Sequence, residues 1–198
     1  MGYQIAQDEH ADRVLAEHPF ALLCGMALDQ QFPMERAFAG PAKILDRFGS
    51  LDPAEIAAAD PEQFASLCAE PPAVHRFPGS MAGKIQGIAR IVVDDYAGET
   101  ERIWTEATDA RDLMRRLTAL PAFGKQKAQI FTALLAKQVG ARPEGWQDAV
   151  GDYALEGYRS VADVTDEASL AKVRAYKAEK KAAAKSAAKS AATSSSPA

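Results

Sequence analysis

Apolar residues recur with a period near 3.6 along most of the chain, which is the spacing of one face of an α-helix. The pattern predicts a helical stretch over residues 14–28, with a new helix beginning at Pro19, and another over 34–48 that ends before Gly49. Residues 52–55 (DPAE) and 60–63 (DPEQ) each place an Asp cap, Pro at the first helical position and an acid or amide at the third. These caps predict two further short helices.

The second half of the chain continues the helical pattern. We predict helices over 81–96, over 108–118 with Thr108 as the cap, and over 125–138, then irregular chain with short helical turns over 140–160. A last helix is expected from about Asp166, and the Ala/Lys/Ser stretch 182–198, which has no apolar face, is expected to be disordered. No convincing strand pattern occurs, so the predicted fold class is all-α.

The cysteines and histidines limit the possible chemistry. Cys24 and Cys68 lie in apolar helical patterns, and two thiolates are too few for an iron–sulfur cluster. The three histidines show no metal-ligand spacing, so we expect no metal and no cofactor. No signal peptide or membrane-length apolar run is evident. The sequence therefore predicts a cytoplasmic protein.

Charge is unevenly distributed along the chain. The whole protein carries a net charge of −4, but the segment from Leu170 onward has seven basic residues and one acid, so the preceding part is strongly acidic. The acidic charge of this preceding part argues against binding nucleic acid, because the neutralisation of phosphates by basic residues normally dominates the affinity for nucleic acid. Local charge and main-chain N–H groups can still hold a phosphate, so a nucleic-acid role stays open.

Residues 112–128 (DLMRRLTALPAFGKQKA) predict two helices joined by a tight turn. The second helix would begin with free N–H groups and a partial positive charge, which suits a phosphate. Lys125 and Lys127 would add charge beside it. From spacing alone, an ordinary αα-hairpin with surface lysines explains the segment equally well.

Three segments resemble motifs of the helix-hairpin-helix (HhH-GPD) base-excision DNA glycosylases related to endonuclease III and MutY. Residues 120–128 (LPAFGKQKA) are similar to that family's L-P-G-V-G-x-K-T-A hairpin, residues 18–31 to its F-E-L-L…L-S-x-Q helix, and residues 77–85 to its G-L-Y-N-S-K-A-x-x-I segment. The resemblance covers about residues 15–145. It implies a bilobal helical fold with DNA across the cleft. We assign this domain to residues 1–165 and expect the C-terminal helix to occupy 166–181.

The resemblance also implies roles for individual residues. Gln31, or Gln30, would fill the gap left by a flipped base, and Phe77 would wedge the opposite strand next to Ser80. The hairpin would hold the DNA backbone with Ala122, Phe123, Gly124, Lys125, Gln126 and Lys127. On the plainer interpretation, Phe77 belongs to the core and the glutamines form an ordinary polar helix end.

The chain departs from the family pattern at the lysine nucleophile of the strand-cleaving members. That position holds Gln126, which cannot form a Schiff base, and helical geometry predicts that Lys125 and Lys127 point elsewhere. The hairpin's first glycine is Ala122, which would be strained if the position requires a positive φ.

The family's catalytic aspartate, about twenty residues past the second glycine, falls on Glu144. Asp148 is the next candidate and Asp29, beside the glutamines, is the third. Glu144 could instead simply begin a helix after Pro143.

The resemblance implies a monofunctional DNA glycosylase that removes a damaged base, such as uracil or an alkylated purine, from double-stranded DNA. We expect a monomer associated with the nucleoid. Two alternatives stay open: a lesion-binding protein without catalysis, and a helical protein–protein module.

Overall fold

The chain folds into helices joined by short loops. The computed structural model describes residues 2–194, with side chains through residue 186, and it contains no strand within those residues. The helices are α1 (Glu9–Glu17), α2 (Pro19–Leu28), α3 (Met34–Phe38), α4 (Gly40–Phe48), α5 (Pro53–Ala58), α6 (Pro61–Ala69), α7 (Pro78–Tyr96), α8 (Arg102–Thr105), α9 (Ala110–Thr118), α10 (Lys125–Leu134), α11 (Trp146–Val150) and α12 (Glu167–Ser194). The all-α fold class is confirmed.

Helix α2 is the centre of the molecule. Every residue from Phe20 to Leu28 is buried, and the helix packs against α1, α3, α4 and α7. Helix α7 packs against α5 and α6 on one side and α2 on another. Such a fully apolar helix is surrounded on all faces. The chain therefore leaves the core directly after the buried Leu28, where the polar loop 29–31 begins.

The predicted helices are present, but several boundaries differ: α1 begins at Glu9 and not at residue 14, and α7 begins at Pro78 and not at residue 81. The predicted 34–48 helix is broken between α3 and α4, because Pro41 has no N–H to continue the first helix. Helix α9 is capped by Asp109 and not by Thr108; the Asp109 carboxylate accepts a hydrogen bond from the Asp112 N–H at 2.8 Å. The helix predicted over 125–138 becomes a π-helical turn over Leu135–Val139 after α10.

The expectation of a disordered tail is wrong for residues 182–194, which continue helix α12 to Ser194. Alanine and lysine are good helix formers, and the packed start of α12 provides the costly first turns. Residues 195–198 lie outside the described part of the chain. The division into a 1–165 domain and a C-terminal helix stays a prediction. No helix among the described residues is long and apolar enough to cross a membrane.

Candidate nucleic-acid interface

A cleft of about 910 Å³ opens where the end of α2, the start of α10, the turn after α11 and one face of α12 meet. Its lining residues are Met26, Asp29, Gln30, Gln31, Gln126, Lys127, Gln129, Ile130, Val150, Gly151, Asp152, Tyr153, Arg159, Tyr176, Lys177, Lys180 and Lys181. The cleft thus brings together five of the thirteen residues that the sequence nominated: Asp29, Gln30, Gln31, Gln126 and Lys127.

The loop after α2 turns sharply into the cleft. The Asp29 N–H donates to the Gly25 carbonyl at 3.0 Å, and the Gln30 N–H donates to the Leu28 carbonyl at 2.7 Å. Gln31 has φ +53°, a left-handed conformation that a glutamine rarely adopts and that often marks a functional loop. Both glutamine side chains are exposed as a result.

Asp29 places a carboxylate in the cleft. Its side chain is 12% exposed, and its Oδ2 atom lies 3.5 Å from the Nζ atom of Lys177 on α12. The lysine supplies a compensating charge beside this largely buried carboxyl group.

Lys127 also borders the cleft. Its Nζ donates to the Ala27 carbonyl at 2.8 Å and so joins the start of α10 to the end of α2. Burial lowers the pKa of Lys127 to about 8, against the opposing effect of Asp29. Lys127 and Gln126 border the same cleft but contact different groups, the Ala27 carbonyl and the Tyr153 hydroxyl.

Gln126 is held by a hydrogen bond. Its Nε2 atom donates to the hydroxyl of Tyr153 at 3.0 Å. Its carbonyl oxygen and its second N–H therefore remain available at the mouth of the cleft. Lys125, one residue earlier, is exposed and does not border the cleft.

The hairpin turn has the strained backbone that the sequence suggested. Ala122 has φ +67°, so alanine occupies a left-handed position that favours glycine. Pro121 packs on α7, where a Cβ atom added at Gly87 would lie 3.1 Å from the Pro121 Cγ. Gly124 caps α10 without any side-chain hydrogen bond, which leaves the first-turn N–H groups uncapped by side chains.

The structure corrects the prediction that Phe123 contacts DNA. The Phe123 ring is buried and meets Phe131 edge-on at a centroid distance of 5.8 Å, and its N–H donates to the Leu120 carbonyl at 3.1 Å. The residue is apolar and faces inward, so it anchors the turn in the core. Neither its side chain nor its N–H group is available to DNA.

Phe77 and Ser80 border a second, shallow cavity of about 300 Å³ next to the cleft. Gln30 and Gln31 line both cavities, so the two sites share the loop after α2. Phe77 is 49% exposed, which excludes the interpretation that it is a core residue. The guanidinium of Arg76 lies 4.7 Å from the centre of the Phe77 ring.

Glu144 and Asp148 lie outside both cavities, and their side chains are exposed. The backbone of Glu144 is instead tied to α9, since its carbonyl accepts a hydrogen bond from the Ala110 N–H at 2.9 Å. The helical run from α10 extends through the π-helical turn to Val139. A count of twenty residues from Gly124 therefore ends at Glu144, which contacts α9 and does not border the cleft. Of the side chains that the structure describes, two carboxylates border the cleft, those of Asp29 and Asp152.

The sequence analysis did not predict that α12 and the chain just before it border the cleft. Among residues 2–186, five basic side chains and two acidic ones border the cleft, and the basic ones are Lys127, Arg159, Lys177, Lys180 and Lys181. Three of them lie on α12, which the Glu35–Arg174 ion pair fastens to α3. The spacing of Leu170, Val173 and Tyr176 was the available signal, because it marks an inward stripe with the lysines beside it. An acidic protein thus has a locally basic cleft.

Both cysteines are free thiols inside the core. Burial raises the pKa of Cys68 to about 11 and raises that of Cys24 further. A protonated, buried thiol is neither a good nucleophile nor a ready metal ligand. Among residues 2–186, no cluster of three or more His, Cys, Asp or Glu side chains could hold a metal ion.

A family model of the HhH-GPD superfamily base excision DNA repair proteins matches residues 24–192 of the chain. The matched region includes the loop after α2, the Phe77 segment, the hairpin and α12. Comparison with curated proteins and with solved structures found no match.

Proposed function

The chain belongs to the HhH-GPD superfamily of base excision DNA repair proteins, and from this premise we propose that it is a monofunctional DNA glycosylase. Members of this superfamily are generally DNA glycosylases and act on DNA with damaged bases. The proposed substrate is double-stranded DNA with a flipped uracil or alkylated purine. The proposed working form is a monomer associated with the nucleoid.

The observation that carries the proposal is the position of Asp29. Of the three carboxylates nominated from the sequence, only Asp29 borders the cleft that also contains Gln30, Gln31 and the start of α10. The first-turn N–H groups of α10 suit a phosphate beside the lesion. The basic side chains of the cleft add attraction for the strand. We therefore assign the acidic role to Asp29 in preference to Glu144 and Asp148.

The reaction needs one carboxylate and one water. As the bond between the sugar C1′ and the base nitrogen breaks, positive charge builds on the sugar, and the Asp29 carboxylate would stabilise it. Water adds to C1′ and loses a proton, and the base leaves with the bonding electrons and takes up a proton. Gln126 offers no amine for attack on C1′, which favours hydrolysis over strand cleavage.

A panel of duplex oligonucleotides tests the activity. Each duplex carries uracil, hypoxanthine or an alkylated purine, and alkali cleaves any abasic site that forms. We expect base release from at least one duplex, and a loss of roughly 100- to 1000-fold in rate for Asp29→Asn, within the usual range for an acid–base group. Glu144→Gln and Asp148→Asn are matched controls that should retain the wild-type rate. No release from any duplex would refute the enzymatic proposal.

Borohydride trapping tests the monofunctional character separately. A lyase forms an imine between a lysine and the abasic sugar, and borohydride reduces it to a stable cross-link. We expect no cross-link with abasic DNA. A cross-link that disappears in Lys127→Arg would contradict this expectation, since Lys127 is the cleft lysine with a lowered pKa.

A lesion-binding protein without catalysis is the second candidate. Two observations favour this function. Asp29 is paired with Lys177, and the other two candidate acids, Glu144 and Asp148, are exposed. Gel shifts that show tight binding of damaged duplexes, without base release and without any effect of Asp29→Asn, would select this function.

A further inference from the structure

His75 lies between the loop after α2 and the Phe77 segment. The residue is 1% exposed. Its Nδ1 atom accepts a hydrogen bond from the Phe77 N–H at 3.0 Å, and its Nε2 atom lies 3.0 Å from the Gln30 carbonyl oxygen. Because Nδ1 accepts, a neutral ring carries its proton on Nε2 and donates it to Gln30. A single buried ring thus joins the main chains of both segments.

Aromatic contacts strengthen this connection. The His75 ring lies 4.7 Å from the Phe32 ring and 6.0 Å from the Phe77 ring, measured between centroids. Burial lowers the pKa of His75, and the charges of Lys127, Arg76 and Lys84 lower it further, against the Gln30 hydrogen bond. The ring is therefore neutral at pH 7 and keeps one donor and one acceptor.

We propose that His75 is a positioning residue that holds the Gln30–Gln31 loop and Phe77 at a fixed spacing, so that an amide and an aromatic ring enter the same opened step of the duplex together. The inference rests on the proposed function, because it assumes that these side chains enter damaged DNA. Two groups that must reach one base step gain affinity when their spacing is set before binding.

Three substitutions test the two hydrogen bonds of His75 one at a time. His75→Asn keeps an acceptor near the Nδ1 position and loses the contact with Gln30. His75→Gln keeps a donor near the Nε2 position and loses the contact with Phe77. His75→Phe keeps only the ring. His10→Phe is the control, since His10 is half exposed and pairs with Asp46 away from both cavities.

The probe is a duplex with a tetrahydrofuran abasic analogue and 2-aminopurine opposite it, because insertion beside the gap unstacks the fluorescent base. For His75→Phe we expect at least tenfold weaker binding and loss of the fluorescence increase, with unchanged affinity for undamaged duplex. His75→Asn and His75→Gln should each recover part of the signal. Circular dichroism melting checks folding. If the Phe variant does not fold, a partial loss in both amide variants still supports the proposal.

Two results would overturn the inference, and they are distinguishable. If folded His75 variants keep the wild-type affinity and fluorescence, His75 does not position these groups, and the glycosylase proposal is unaffected. If the wild-type protein neither prefers the abasic duplex nor changes its fluorescence, the proposed function fails together with the inference.

Discussion

Lys177 Nζ lies 3.5 Å from Asp29 Oδ2, although 148 positions of the chain separate the two residues. This contact fixes α12 against the loop that carries the glutamines, and it completes the cleft. Because Lys177 is 40% exposed, we expect the pair to contribute less than about 1 kcal/mol to the free energy of unfolding. A double-mutant cycle of Asp29→Asn and Lys177→Met in urea unfolding measures this coupling.

The cleft offers a matched control for that cycle. Asp152 and Lys180 also border the cleft, but their charged atoms are 3.9 Å apart and both side chains are well exposed. Their coupling should be close to zero. Equal couplings for the two pairs would show that Asp29 and Lys177 are not specifically paired in solution.

Lys127 should titrate near pH 8, far below an ordinary lysine. Burial lowers its pKa in the folded protein, so between pH 8 and the pKa of about 10.5 in the unfolded chain the unfolded state binds more protons. The contribution of Lys127 to stability therefore rises with pH through this range. Urea unfolding at several pH values should show this rise as a difference between wild-type protein and Lys127→Met.

Direct detection of the amine gives a second test. In NMR of protein with isotopically labelled lysines, one signal should titrate near pH 8 and vanish in Lys127→Met. A phosphate beside the amine should raise this pKa when an abasic duplex binds. A signal that titrates near pH 10 in the free protein would mean that Lys127 is not buried.

Helices α5 and α6 were predictable because each carries its own start signal. Asp52 and Asp60 cap α5 and α6 as predicted, and the Asp60 carboxylate accepts hydrogen bonds from the N–H groups of Glu62 and Gln63. Residues of the candidate site were predictable only where a short motif holds them together. Asp29, Gln30 and Gln31 are consecutive, and Gln126 and Lys127 belong to the hairpin.

The parts of the site that arise from tertiary packing were not predictable. Glu144 was chosen by a count along the chain, and such a count does not show that the residue lies outside both cavities and contacts Ala110 of α9. Lys177 and His75 act through partners that are distant in sequence, and neither belongs to a recognisable motif. Phe123 was misassigned because a hairpin motif does not show which of its apolar residues faces inward.

Ala122→Gly should stabilise the protein. Alanine at φ +67° costs roughly 1 kcal/mol, whereas glycine adopts this conformation without strain. Part of the gain is lost to the greater freedom of glycine in the unfolded chain, so we expect an increase of about 0.5 kcal/mol in the free energy of unfolding. Ala119→Gly is the control, because Ala119 has φ −75° and glycine should destabilise there. A loss of stability in Ala122→Gly would contradict the strained turn.

Truncation after Lys181 should weaken the salt dependence of DNA binding and leave base choice unchanged. It removes Lys185 and Lys189 but keeps Lys177, Tyr176 and the other cleft residues of α12. If both lost lysines neutralise phosphates, the slope of log K against log salt should become shallower by about 1 to 2 units.

Truncation after Ala171 is the informative comparison. It also removes Arg174 and Lys177, so the ion pairs with Glu35 and Asp29 disappear and the cleft loses one wall. We expect this shorter protein to lose lesion preference as well as affinity, and to melt at a lower temperature. An unchanged salt slope after truncation at Lys181 would mean that the final segment only solubilises the protein. The basic residues that matter would then be those of the cleft, since they remain in place.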